Sequence, residues 1–214
     1  MCKKNVAAYI HKTIYSITNK KIDPVRIKKL MAFIYSFAED ILTRFNILAT
    51  SYALLYEDSV KREVSMLDIS KEMKILHIGC GSLPLTIKYL YKYTPAKLIV
   101  GIDNKEKAIK NADMYLNREN IKRRVRIEYG NGAVYRVDDF DIIFLSWGVE
   151  PRDKVLGNIF KNAKENCRII LRLPDKSCLE DNFKEEIHRY RLHIVGMVER
   201  PMFGSAISLL LVKK

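Results

Sequence analysis

Residues 74–86 read K-I-L-H-I-G-C-G-S-L-P-L-T, and the fold follows from how that run ends. Ile75, Leu76 and Ile78 make a short apolar stretch that stops at Gly79, Cys80 and Gly81. A β-branched run of this length, closed by glycines, predicts a strand buried on both faces of a parallel sheet. Past the turn, Leu85, Ile87, Leu90 and Tyr91 predict a helix starting near Pro84, a residue suited to a first helical turn. Strand, glycine turn and helix N-terminus form the geometry that lets backbone approach a nucleotide. A second apolar run, residues 97–103, ends in Asp103. A carboxylate at that strand tip is placed to accept hydrogen bonds from both ribose hydroxyls of an adenosine lying across the first turn.

A dinucleotide site calls for a third glycine three places after Gly81, so that helix and pyrophosphate pack closely. That place holds Pro84, preceded by Leu83, and the two would crowd a pyrophosphate. The Gly79-Cys80-Gly81 turn followed by Ser82 instead resembles the first motif of S-adenosylmethionine-dependent transferases, which implies S-adenosylmethionine as the cofactor. Cys80, between two turn glycines, is explained by the fit of a small side chain rather than by nucleophilic chemistry.

The 214 residues suit one large domain, or a core with an added helical piece. An apolar content of 48% is ordinary for a globular chain and argues against disorder. No run reaches the ~20 apolar residues of a membrane span. The opening Met1-Cys2-Lys3-Lys4-Asn5 has no apolar signal core, so the expected location is the cytoplasm. Cys2, Cys80, Cys167 and Cys178 show no C-x-x-C spacing, and predict reduced thiols with no metal site. The formal net charge of +13 leaves a nucleic-acid partner open. Its densest cluster, Lys122, Arg123, Arg124 and Arg126, lacks the interleaved aromatics of a single-strand platform and reads first as a solvated basic loop.

Composition changes at the glycine turn. Residues 1–78 hold no glycine and only Pro24 as proline; all nine glycines lie from Gly79 onward. The opening therefore predicts an α-helical cap, residues 1–72, ahead of a second domain, residues 73–214. In the cap, Val6, Tyr9, Ile10, Ile14 and Ile17 mark a first helix. Asp23-Pro24 starts a second that runs through Ile27, Leu30, Ile34, Phe37 and Ile41. Ala49, Ala53, Tyr56, Val60, Val64 and Leu67 stripe a third. From residue 74 strands and helices alternate: helix 105–116, strands 125–129 and 140–145, helix 153–164, strand 168–171, helix 179–190, strands 193–198 and 207–212. Such alternation, closing on two nearby strands, predicts an α/β fold with a doubly wound sheet and an antiparallel hairpin at one edge. This resembles the Rossmann-like seven-strand sheet of methyltransferases.

Ligands of such sheets sit outside the carboxyl ends of the strands. The ends predicted to bind the cofactor are Gly79, Cys80, Gly81, Ser82, Leu83 and Pro84; Asp103 and Asn104; Asn131, Gly132 and Ala133; and Ser146 with Trp147. Asn131 either pairs with the adenine edge or serves as a turn asparagine. Trp147, the only tryptophan, either lines the substrate face and lies over the sulfonium or packs between cap and sheet.

The run Gly79-Cys80-Gly81-Ser82-Leu83-Pro84-Leu85-Thr86 resembles the glycine-x-glycine-x-leucine-proline turn of nicotianamine synthases and their archaeal and bacterial relatives. Phe140-Asp141-Ile142-Ile143-Phe144-Leu145 and the closing residues 205–214 are similar to that family's fourth and final strands. The resemblance implies a helical domain over a methyltransferase-like domain, and transfer of the aminocarboxypropyl group of S-adenosylmethionine to an amine of a small molecule. It also implies tyrosine and glutamate side chains from the helical domain near the reacting centre, for which Tyr56 and Glu63 stand on one helical face. The alternatives are methyl transfer to a small molecule, RNA or protein, and a basic nucleic-acid-binding module with a vestigial pocket. After Leu145 the chain reads Ser146-Trp147-Gly148-Val149-Glu150-Pro151. It lacks the Asp/Asn-Pro-Pro-aromatic motif of enzymes that methylate exocyclic amines of bases or glutamine amides, and the Pro-Cys pair of cytosine methylation.

Overall fold

A computed structural model describes residues 46–174, 176, 185, 187–200 and 206–214. Seven strands form one sheet: β1 (Lys74–Ile78), β2 (Leu98–Asp103), β3 (Val125–Tyr129), β4 (Ile142–Leu145), β5 (Arg168–Leu173), β6 (Leu192–Glu199) and β7 (Ile207–Lys213). Their order is β3-β2-β1-β4-β5-β7-β6; β1 to β5 run parallel, and β7 lies antiparallel to both its neighbours. Among the described residues the helices that accompany them are α1 (Asn46–Ser65), α2 (Leu85–Tyr93), α3 (Glu106–Arg118) and α4 (Arg152–Asn162). The α/β class and the seven-strand sheet expected from the sequence are present. The first two cap helices lie outside the described residues, as does most of the helix expected at 179–190, of which 187–189 are helical.

Strands with helices on both sides must be apolar on both sides. Alternate residues of β1, β2, β4 and β5 accordingly feed two separate cores. Leu76, Ile78, Val100, Ile102, Ile143 and Leu145 pack with Val155, Ile159 and Phe160 of α4. Ile75, Ile99, Ile142, Phe144 and Ile170 pack with Ile87 and Leu90 of α2 and Val60 of α1. β4 begins two residues later than expected because Asp141 is spent on the sheet's margin, where its Oδ2 accepts the Lys74 N–H at 2.7 Å.

The closing hairpin has its second strand inside and its first at the edge, since β7 inserts between β5 and β6. β6 is paired on one side only, exposes Ile194, Val195 and Met197, and shifts register between Ile194 and Gly196. Part of the basic cluster is also structural. Arg124 donates from Nη1 to the Ala96 carbonyl at 2.7 Å and from Nη2 to the Tyr91 carbonyl at 2.5 Å, and its guanidinium lies over the Tyr91 ring. Among the described residues no helix is long and apolar enough to cross a membrane.

Ile143 is fully buried at the centre of the sheet. Ile143→Ala is expected to remove about 2–5 kcal/mol of stability, read as a lowered urea midpoint with unchanged slope.

Candidate functional site

β1 lies between β2 and β4 with Ile78 level with Ile102 and Leu145, so three strand tips end together. Beyond them the chain must turn sharply. Gly79 takes φ +78° and Gly81 φ +68°, backbone that residues with a Cβ rarely adopt. The turn is pinned from behind, with Gly79 and Cys80 N–H both donating to the Ile102 carbonyl at 2.9 and 3.0 Å. A Cβ at Gly79 would stand 2.4 Å from Val149 Cγ2, so glycine there also keeps the wall after β4 close. Asp103 reaches back to the same turn. Its Oδ2 accepts the Gly81 N–H at 3.0 Å and its Oδ1 the Lys105 N–H at 3.1 Å. A carboxylate has about four lone-pair positions, so one per oxygen remains for other donors.

These ends open into a crevice of about 510 Å³, a size suited to a nucleoside-bearing ligand. The glycine turn contributes Gly79 through Leu83, the end of β2 Asp103 and Asn104, the loop after β3 Asn131 and Gly132, and the loop after β4 Ser146 and Trp147. Pro84 and Ala133 fall just outside the lining, Pro84 directly preceding α2. Asn131 is a turn former: its Oδ1 accepts the Ala133 N–H at 3.0 Å, and its φ is not positive. The wall carrying Trp147 is braced by Arg152, whose Nη1 donates to the Ser146 and Trp147 carbonyls and whose Nη2 donates to that of Arg172 at 2.8 Å.

The floor is polar and largely buried. Arg172 of β5 is 1% exposed and grips fully buried Glu63 of α1 with two parallel bonds, Nε to Oε1 at 2.8 Å and Nη2 to Oε2 at 2.7 Å. Its Nη1 donates to Tyr56 Oη at 2.9 Å and Thr86 Oγ1 at 3.0 Å. Ser208 donates to Glu63 Oε1 at 2.6 Å, and Arg200 Nε stands 3.5 Å from the same oxygen. Burial works to raise the Glu63 carboxyl, but the charge and hydrogen bonds of Arg172, with Arg200 and Ser208, outweigh it and hold it below the ordinary carboxylate range. His77 of β1 is also buried, with Nε2 2.9 Å from Ser146 Oγ. Burial first, then the charges of Arg172 and Arg200, hold its ring well below the usual histidine range, so it is neutral.

A methyltransferase-domain family profile matches residues 69–201, more than half of the chain. The chain belongs to the methyltransferase-domain family. A demethylmenaquinone methyltransferase from Lactobacillus johnsonii is 25% identical to this methyltransferase-domain protein over 99 residues, 44% of the chain. The chain spans only 41% of that relative's length. Among solved structures, a point mutant of the nicotianamine synthase MtNAS in complex with S-adenosylmethionine superposes with a TM-score of 0.67 at 16% identity, covering 97% of this chain and 77% of that one. A methyltransferase from Pyrococcus furiosus gives 0.59 at 20% identity over 74% and 82% of the two chains. The family match gives the methyltransferase-domain protein S-adenosylmethionine as its cofactor. The site fits that molecule: the turn at its mouth carries two left-handed glycines, Asp103 beside it keeps a lone pair on each carboxylate oxygen, and the volume suffices.

Of the residues predicted from sequence, the cofactor set apart from Pro84 and Ala133 lines one crevice, and Tyr56 reaches its lining while Glu63 lies one bond behind, on Arg172. Sequence reasoning passed over His77, Thr86, Arg172 and Arg200. The available signal was phase: His77 shares a sheet face with Ile75, and Arg172 with Ile170, so both are polar residues where the pattern calls for apolar ones. Among the described residues no group of three or more histidine, cysteine or acidic side chains is placed to hold a metal, and Cys80 and Cys167 are buried without a disulfide.

Asp103→Ala is expected to weaken S-adenosylmethionine binding by about 1–3 kcal/mol, measured by calorimetry. A second expectation concerns pH. The folded chain keeps His77 neutral below 6.5, whereas the unfolded chain takes up the proton there. Stability therefore falls as pH drops below 6.5, by up to roughly 1.4 kcal/mol per pH unit. His77→Gln is expected to flatten that slope in thermal melts taken from about pH 7 down to about pH 5.

Proposed function

We propose that this protein transfers the aminocarboxypropyl group of S-adenosylmethionine to an amine of a small molecule, a nicotianamine synthase-like reaction. One observation carries the reading: the crevice floor is polar, lined by half-buried Tyr56 and buried Thr86 and Arg172, with buried Glu63 and Ser208 behind them joining α1 to the sheet. A floor of guanidinium, hydroxyl and imidazole groups suits a zwitterionic donor arm and a polar acceptor. A quinone ring, the acceptor type named for the Lactobacillus relative, would leave those groups desolvated and unmet. Further support comes from the likeness to MtNAS, which extends over 97% of the chain, well past the sheet.

S-adenosylmethionine supplies a sulfonium whose adjoining carbons are open to displacement. The residues here decide which carbon meets the acceptor in line with its carbon–sulfur bond. Gly79 and Gly81 admit the adenosine, and Asp103 uses its remaining lone pairs on the ribose hydroxyls. Tyr56 Oη, fixed between Thr86 and Arg172, stands at the floor to orient the arm or the acceptor. Glu63, gripped by Arg172 through both oxygens, acts as a positioning residue for that guanidinium rather than as a base.

Methyl transfer is the second reading, favoured by the family and by the curated relative. Incubation with S-adenosylmethionine and a panel of small amines separates the two by the mass of the nucleoside released. Methylthioadenosine above the spontaneous background is expected; S-adenosylhomocysteine in its place would establish methyl transfer.

A further inference from the structure

One polar atom of the floor is unanswered by the protein. His77 is 2% exposed, and while Nε2 meets Ser146 Oγ, Nδ1 is buried with no hydrogen-bond partner. Such an orphan costs about 1–3 kcal/mol, and a native structure that keeps one calls for an explanation. An aliphatic side chain at this position would carry no such cost, since the rest of β1 from Ile75 to Ile78 is aliphatic and buried. His77 lines the crevice together with Thr86, Ser146 and Arg172. The ring that carries the unanswered nitrogen is thus part of the crevice wall.

We propose that His77 contacts the acceptor: Nε2–H donates to Ser146 Oγ, and Nδ1 accepts an N–H from the uncharged nucleophilic amine. This deepens the amine-transfer reading and rests on it. The charged and titratable groups around the ring select the form of the amine. Arg172 from β5 and Arg200, just after β6, are cationic; Glu63 of α1 is paired with both; Tyr56 of α1 and Thr86 of α2 are neutral hydroxyls. Burial and those two guanidiniums keep the imidazole neutral. The same surroundings disfavour an ammonium and favour the free amine, the form whose lone pair can attack. With one N–H held on Nδ1, the nitrogen is fixed in orientation as well as in protonation state.

Nitrogen NMR of selectively labelled histidine tests this. The chain has four histidines, and His77→Gln identifies the signals that belong to His77. The protein is saturated with methylthioadenosine, which lacks the amino-acid arm, and titrated with n-propylamine at fixed, mildly alkaline pH. Expected are an unprotonated Nδ1 and a shift of its signal that saturates with amine. His77→Gln, whose amide falls near the Nε2 position, should bind n-propylamine about tenfold more weakly by calorimetry. His77→Asn, with its amide near the Nδ1 position, should stay within about threefold of wild type. A protonated Nδ1, no shift with amine, or unchanged affinity in a folded His77→Gln overturns the proposal. A shift caused by S-adenosylhomocysteine but not by n-propylamine overturns it too, because the contact then belongs to the donor's own amino group. Should His77→Gln fail to fold, the wild-type titration decides alone, with assignment from His77→Asn. Amine binding at His77 without methylthioadenosine release in the transfer assay would refute the transfer reading and leave this contact standing. Methylthioadenosine release with a silent His77 would do the reverse.

Discussion

A bidentate ion pair in the dry interior ties α1 to the sheet. Glu63 and Arg172 are 109 positions apart, and both are withdrawn from water. Taking two such ions out of solvent is tolerable only when geometry is good and the remaining polar atoms are met. Here two parallel bonds satisfy the carboxylate, Ser208 adds a third, and Tyr56 and Thr86 receive the far side of the guanidinium. α1 therefore cannot slide or rotate on the sheet without stranding a charge. Apolar contacts at Val60 would tolerate such a slip far better.

That constraint reaches the crevice directly. Tyr56 lies seven residues before Glu63, two helical turns along the same face, and its hydroxyl is delivered to the floor by the locked helix. From the other side, Asp103 and the Ile102 carbonyl hold the glycine turn, and Arg152 holds the loop that bears Trp147. Three walls are thus fixed by hydrogen bonds, two of them meeting at Arg172 of β5 and the third at the end of β2. Preorganisation of this kind is what a transferase needs when its chemistry is mostly the placing of two reactants.

The sheet was legible because each central strand is a short apolar run bounded by turn residues, and the glycine turn with Asp103 was legible because its parts sit at the ends of adjacent strands. Neither the order of the last two strands nor the polar floor could be read in the same way. β6 and β7 are of similar length, the two longest strands of the sheet, and length does not say which one lies beside β5. Glu63 looked like one of many surface acids, since its partners come from β5, β7 and the stretch after β6 and leave no trace in the residues near it. Arg172, in R-I-I-L-R-L, carries the clearest missed clue. An arginine in phase with buried Ile170 had to be either exposed by some gap or met by an acid from elsewhere, and only packing decides which.

The irregular margin of the sheet has a consequence for handling the molecule. A straight outer strand with bare amides and carbonyls is a template on which a neighbouring molecule can extend the ladder. At the outer strand the step between Ile194 and Gly196 interrupts that template and adds local twist. Aliphatic side chains are on show there, yet the backbone offers no continuous row for another chain to zip onto. Crowded solutions of the protein are thereby guarded against edge-to-edge stacking at the place where its surface is greasiest.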